Sequence, residues 1–179
     1  MGAVSRRQLT SALLAFAAAI PVGHAAARSN GVASNNKHFV QTVAEASLFE
    51  VESGKLAAKR SGNLEVAGYA QQMIEDHARL LADLAKVNDS VRGWLPSTLG
   101  ATYNDRLKKL KEAPEGGFEG LYMGMQVDLH ERVLMLHRDF SRVGENERLR
   151  KFAAGNVAML NRHLEHARVI GLTLDRRAR

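Results

Sequence analysis

Asn63 to Val87 reads NLEVAGYAQQMIEDHARLLADLAKV. Its apolar residues fall at Val66, Ala70, Met73, Leu80, Leu84 and Val87. Alternating steps of three and four mark one face of an α-helix, and Asn63 is a good cap for its start. One step of the face is not apolar. His77 stands between Met73 and Leu80, where another Leu is expected. A titratable ring in the middle of a core seam has to be satisfied by something, and that need directs the reading of the other segments.

Upstream, a first long helix is predicted after Asn36, ending near Arg60 before Ser61-Gly62. One face carries Val40, Val43, Ser47, Glu50, Gly54 and Ala57, so a carboxylate lies on a face of small, mostly apolar residues. Glu45 and Glu52 point elsewhere. The short link to the second helix, which ends near Asn88, makes the two antiparallel neighbours. A longer connection follows, with a packed loop at Gly93-Trp94-Leu95-Pro96 and a short helix over 98–112, ended by Pro114 and Gly116-Gly117. A third long helix runs from Phe118 to Val143, with His130 beside its stripe. A fourth, capped by Asn146, runs to about Gly171, with His163 on its seam between Leu160 and Ala167. Two hairpins of amphipathic helices predict an all-α, up-down four-helix bundle over 37–172, with a short extra helix between the second and third long ones. Thr173 to Arg179 reads as a disordered basic tail.

Counting from the turns gives the depth of each polar residue. Glu50 lies about twelve residues from the first turn and His77 about fifteen, an offset of roughly 5 Å at the helical rise. His130 and His163, counted from Gly144-Glu145, differ by the same small amount. One carboxylate and three imidazoles therefore share one level of the predicted core. Unpaired buried polar groups cost about 1–3 kcal/mol each, and a divalent transition-metal ion would satisfy all four jointly. The competing reading pairs His77 with Glu50 alone and leaves His130 in water at the edge of its stripe. His166, one turn after His163, can add a donor but lies off the seam, and His137 either extends the site or is a surface residue. His130-Glu131-Arg132-Val133-Leu134 opens like a zinc-protease motif but has Leu134 in place of the second His. Neither a phosphate loop nor a nucleophile elbow is present.

Composition agrees with a helical domain. Hydrophobic residues make up 45%, aromatic residues only 6%, and Pro occurs three times. There is no Cys, which excludes disulfides, thiolate metal sites and thiol nucleophiles. The net charge of +6 is spread among acidic residues rather than gathered on one face, so nucleic acid is not an expected partner.

Residues 1–27 have a charged start containing Arg6-Arg7, an apolar run from Leu13 to Val22 and small residues from Gly23 to Ala27. That order is a secretory signal, and Arg-Arg-Gln-Leu resembles the twin-arginine type. The apolar run is about half the ~20 residues that span a bilayer, so no transmembrane helix is expected. Residues 28–36 read as a flexible lead-in, and the mature chain as a periplasmic or cell-envelope protein.

Several of these segments resemble one family in order. Leu48-Phe49-Glu50-Val51-Glu52-Ser53-Gly54-Lys55-Leu56-Ala57 is similar to its first-helix motif. Ala70 to His77, Leu95-Pro96, Phe118 to Tyr122, Gln126 to Glu131 and Leu160 to Glu165 follow. Together they resemble the exported bacterial ferritin-like domain-of-unknown-function family 4142, whose members are often labelled outer-membrane proteins. The resemblance implies a ferritin-like bundle in the bacterial envelope and motif positions at Glu50, Asp76-His77, His130 and His163, with Asp76 in a supporting place. It implies no activity. Ile74 and Leu160 stand where ferritin-like di-iron sites place the Glu of Glu-x-x-His, which argues against di-iron peroxidase or ferroxidase chemistry. Two readings remain: an exported bundle holding one divalent transition metal through Glu50, His77, His130 and His163, or a non-enzymatic structural or interaction module of the envelope with no metal.

Overall fold

The computed structural model describes residues 35–87 and 89–177. The expected leader and nearly all of the lead-in lie outside the described residues. Those described are all-helical, with no strand among them. The elements are α1 (Asn36–Arg60), α2 (Leu64–Leu84), α3 (Asp89–Arg92), α4 (Ala101–Glu112), α5 (Glu115–Val143) and α6 (Glu147–Arg177). No helix among them is long and apolar enough to cross a membrane.

The caps show why the helices begin where they do. Asn63 accepts from the backbone N–H groups of Glu65 and Val66, satisfying donors that the first turn of α2 leaves open. Asn146 does the same for Leu149 at the start of α6, at 3.1 Å. The cap of α1 is Asn35 rather than Asn36, through its 2.9 Å bond from the His38 N–H. Asn36 is used elsewhere: its side chain accepts from the backbone N–H of Asn146, tying the start of α1 to the start of α6.

Three boundaries differ from the sequence reading. Gly116 and Gly117 do not end the short helix. The extended pair Ala113-Pro114 does, and both glycines lie in the first turn of α5. A residue before Pro is pushed out of the helical region, so the break comes there. Helix α2 stops at Leu84 and gives way to turns before Asn88. Helix α6 continues to Arg177, through most of the stretch read as a tail. Leu174 packs against the core, the Thr173 hydroxyl donates to the Val169 carbonyl, and Arg176 and Arg177 suit the negative end of the helix dipole.

Helix α1 packs chiefly on α2, and α5 on α6. Further contacts join α1 to α5 and α2 to α6. Gly54 marks the closest approach of the first pair: a Cβ there would stand 3.0 Å from the carbonyl oxygen of Ala70 and 3.0 Å from Ile74. The link between α1 and α2 is fastened to α5 by the Glu119 carboxylate, which accepts from the Ser61 hydroxyl and the Asn63 N–H. Beside it Arg60 lies over the Phe118 ring and donates to the carbonyls of Leu110 and Ala113.

Two apolar clusters fill the interior. One, towards the α1–α2 link, contains Phe49, Tyr69, Met73, Phe118, Tyr122, Leu129, Leu160 and Ile170. The other, towards the α5–α6 link, contains Phe39, Val43, Leu80, Leu84, Phe140, Leu149 and Ala153. On α2 the step between them is His77. The interior also buries Ser47, Glu50, Gln126, His130, His137 and His163.

Candidate metal centre

The apolar seam of α2 carries His77 inward, since Met73 and Leu80 on either side are core. Helix α5 delivers His130 and α6 delivers His163. All three imidazoles are at most 2% exposed. One ring nitrogen of each lies within 4.8 Å of those of the other two. The ring centroids are 5.4–5.8 Å apart. His130 is therefore a core residue, and the alternative of a solvated edge is excluded.

In each ring one nitrogen is held and the other is free. His77 Nδ1 lies 3.3 Å from the Ser47 hydroxyl, His130 Nδ1 donates to the Gln126 carbonyl at 2.9 Å, and His163 Nε2 lies 2.8 Å from the Asp76 carboxylate. His77 Nε2, His130 Nε2 and His163 Nδ1 are buried with no hydrogen-bond partner. A hydrogen bond on one nitrogen fixes the ring and directs the lone pair of the other, the usual arrangement around metal-ligating histidines. Asp76 therefore has a structural role: it reaches from α2 to orient His163 on α6. Its carboxyl would be raised by burial, but the hydrogen bond and charge of His163, with Arg79 beside it, hold it below the ordinary value.

Glu50 lies next to the trio rather than within it. Its Oε1 is 3.9 Å from His130 Nδ1, and neither oxygen has a hydrogen-bond partner. The 5 Å offset counted from the turns explains this, because Ser47, one helical turn away, takes the contact with His77 instead. The reading in which His77 pairs with Glu50 alone is therefore not what the structure contains. Burial pushes the Glu50 carboxyl up to about 8, partly offset by the nearby Gln126 side chain. Burial pushes the imidazoles the other way. His130 falls to about 4, His77 well below its ordinary value with the other histidines adding to the effect, and His163 less far because Asp76 opposes it. Burial thus favours the neutral, ligating form of the imidazoles, whereas the Glu50 carboxyl would have to release its proton to join a cation.

Two other histidines fall outside the cluster. His166 is exposed, its ring edge-on to Tyr69 at 5.4 Å, and offers nothing to the trio. His137 is fully buried two turns beyond His130, bonded through Nδ1 to the Val133 carbonyl and set among Phe39 and Phe152. It is neither a surface residue nor part of the trio. A surface groove of about 740 Å³ between α5 and α6, lined by Arg138, Asn161 and Arg168, includes none of the three imidazoles.

The structure adds residues that the sequence reading did not assign to the site. Gln126 is fully buried, its side-chain oxygen accepting from the Tyr69 hydroxyl at 3.3 Å and its amide nitrogen unpartnered. The buried Tyr122 hydroxyl is unpartnered as well. Burial and the Glu50 charge push both tyrosines well above their ordinary value. The signal was present in the spacing. Gln126 and Tyr122 lie four and eight residues before His130, and Tyr69 lies eight before His77, all on the inward faces.

The Domain of unknown function (DUF4142) family matches residues 22–170 of the chain. No curated protein matches it, and no solved structure does.

Proposed function

The chain belongs to the DUF4142 family, and we propose that this member binds one divalent transition-metal ion in the core of a ferritin-like four-helix bundle. His77, His130 and His163 are the nitrogen ligands, and Glu50 supplies the carboxylate beside them. The observation that carries this reading is the set of three ring nitrogens from three helices. All are buried and without a partner, while the opposite nitrogen of each ring is held by Ser47, Gln126 or Asp76. Imidazole with carboxylate suits zinc, iron, copper and nickel, and the absence of Cys removes the thiolate preference that would narrow the choice.

The test is calorimetric titration of metal-stripped protein with zinc, copper, manganese and, without oxygen, ferrous iron. At least one ion should bind at one per chain and lose affinity in the His77→Leu and His163→Leu variants. If every ion binds those variants as tightly as wild type, the reading is wrong and the histidines are core polar groups of a structural module.

The charged start, apolar run and small residues of 1–27 support export to the bacterial envelope, with cleavage between Gly23 and Arg28. Mass spectrometry of the envelope fraction should find an N-terminus near Ala26 or Arg28. A cytoplasmic protein retaining Met1 would overturn that part.

A further inference from the structure

The three imidazoles are closed off from solvent, so an ion that binds there has to be let in. The held nitrogen of each ring shows where. His77 Nδ1 faces the Ser47 hydroxyl and His130 Nδ1 donates to the Gln126 carbonyl, and both partners are buried. His163 Nε2 instead meets Asp76, whose side chain is 15% exposed. The two oxygens of that carboxylate are divided. Oδ2 faces His163, and Oδ1 accepts from the exposed guanidinium of Arg79. Of the three series, His163–Asp76–Arg79 is the one that reaches the surface.

The seams between the helices agree. Helix α1 packs closely on α2, and α5 on α6. The α1–α5 seam is strapped by α4, with Tyr103 against Phe49 on α1 at 5.3 Å and Arg106 paired with Asp128 on α5 at 2.6 Å. The α2–α6 seam, which Asp76 bridges, is instead indented by a surface groove of about 270 Å³ lined by Gly68, Tyr69, His166 and Val169. His166 lies one helical turn from His163.

Building on the metal reading, on which this rests, we infer that the ion enters and leaves the trio through the α2–α6 seam. Asp76 captures it first and passes it to His163, and Arg79 is a removable cover on the carboxylate. A divalent ion crosses an apolar wall only at high cost, so its path follows groups that replace its water. Along this seam those groups are the partly exposed Asp76 carboxylate and the His163 ring behind it, oxygen and nitrogen donors that suit a transition ion. The ion pair over them is no obstacle, because the Arg79 end is exposed and such pairs hold weakly.

Cobalt(II) provides the readout, because its visible bands report its coordination. Metal-stripped full-length protein is mixed with cobalt(II) in a stopped-flow spectrometer, and loaded protein is mixed with excess EDTA to follow release. A cover on a path used in both directions slows both. Arg79→Ala should therefore speed uptake and release alike, each by about fivefold, with the dissociation constant within about twofold of wild type. Arg138→Ala removes a like charge from the α5–α6 groove and should change neither rate. Unchanged rates in Arg79→Ala overturn the inference. Faster uptake with unaltered release also overturns it, since that is a field effect, and so does equal acceleration in both variants. Each of these outcomes leaves the metal site standing. Failure of cobalt and of every other ion to bind removes both.

Discussion

The Phe39–Phe140 stack and the three-imidazole layer lie about three helical turns apart on α5, and both are fully buried. They are built on opposite principles. The aromatic end is held chiefly by apolar burial, with ring centroids 3.9 Å apart and Leu84, Leu149 and Val91 closing around them, and its buried polar neighbour, His137, has a single unpartnered nitrogen, Nε2. The imidazole layer has the same burial but leaves ring nitrogens and a carboxyl without partners. Stability at the first should be intrinsic to the chain, and stability at the second should depend on what binds there.

The largest effect expected from this contrast is at the aromatic end. Phe140→Ala should cost about 3–5 kcal/mol by removing buried surface and leaving a cavity against Phe39. The loss should be the same with and without metal, as measured by urea unfolding. A loss that shrank on adding metal would mean that the two regions are coupled. Next comes the ion itself. At a thousandfold excess over its dissociation constant it should stabilise wild type by about 4 kcal/mol, a rise in Tm of roughly 10 °C for a domain of this size. His163→Leu should abolish that rise while leaving the metal-free Tm largely in place. An equal rise in the variant would place the ion elsewhere.

The pH dependence of the metal-free protein sharpens the comparison. Buried His130 and His137 have values of about 4 against an ordinary 6.5, and His77 and His163 are also lowered. The unfolded chain takes up protons that the folded one refuses, so their stability is complete above 6.5 and lost as pH falls towards 4. Glu50, raised from 4.5 to about 8, acts in reverse. Its contribution is complete below 4.5 and declines as pH rises through 8. Four groups against one make stability rise from acid to about pH 6.5, then fall by about 1 kcal/mol per pH unit towards 8. Metal should remove the upper decline, because a cation holds the carboxylate ionised. A metal-free protein with no decline between pH 6.5 and 8 would mean that Glu50 is not the buried acid described.

How much of this was legible beforehand differs by residue. His77 declared itself as the one polar step on an apolar face, and counting from two turns brought His130 and His163 to its level. Helical periodicity and turn position set those coordinates, and both are written in sequence. Glu50 was placed on the right face, but a three-residue offset was enough to give its contact with His77 to Ser47. Tyr69 and Tyr122 passed unnoticed because a tyrosine on a stripe counts as apolar, and whether its hydroxyl finds a partner depends on the neighbouring helix. The use of Asn36 on the α6 start, in place of a cap, likewise depends on a contact between residues 110 apart. The end of α6 was misread because Leu174 packs against a core that no local pattern displays.

Asp76 offers a smaller effect that separates orientation from ligation. It is not in the trio, yet it holds His163 Nε2 at 2.8 Å. Asp76→Asn keeps the shape and removes the charge, and should weaken metal affinity about tenfold, the lower end of what losing a group that orients a ligating histidine costs. An unchanged affinity would show that His163 is positioned by packing alone.

The smallest expected effect is the most discriminating. In metal-free protein, His77→Leu replaces a ring with one unpartnered nitrogen by an aliphatic group between Met73 and Leu80, both core residues. What is lost is one 3.3 Å contact to Ser47, worth about 1 kcal/mol or less at that length, and the Ser47 hydroxyl retains a helix carbonyl as an alternative partner. What is gained is relief of the desolvated nitrogen and better apolar burial. The two nearly cancel, so urea unfolding of the metal-free variant should fall within about 1 kcal/mol of wild type. With the ion present the same substitution should remove most of the ion's stabilisation, because one of three nitrogen ligands is gone. A residue nearly silent without metal and decisive with it is what distinguishes a binding layer from a core. If His77→Leu instead costs several kcal/mol in the metal-free protein, the imidazole layer holds the fold together by itself, and the contrast with the Phe39–Phe140 end disappears.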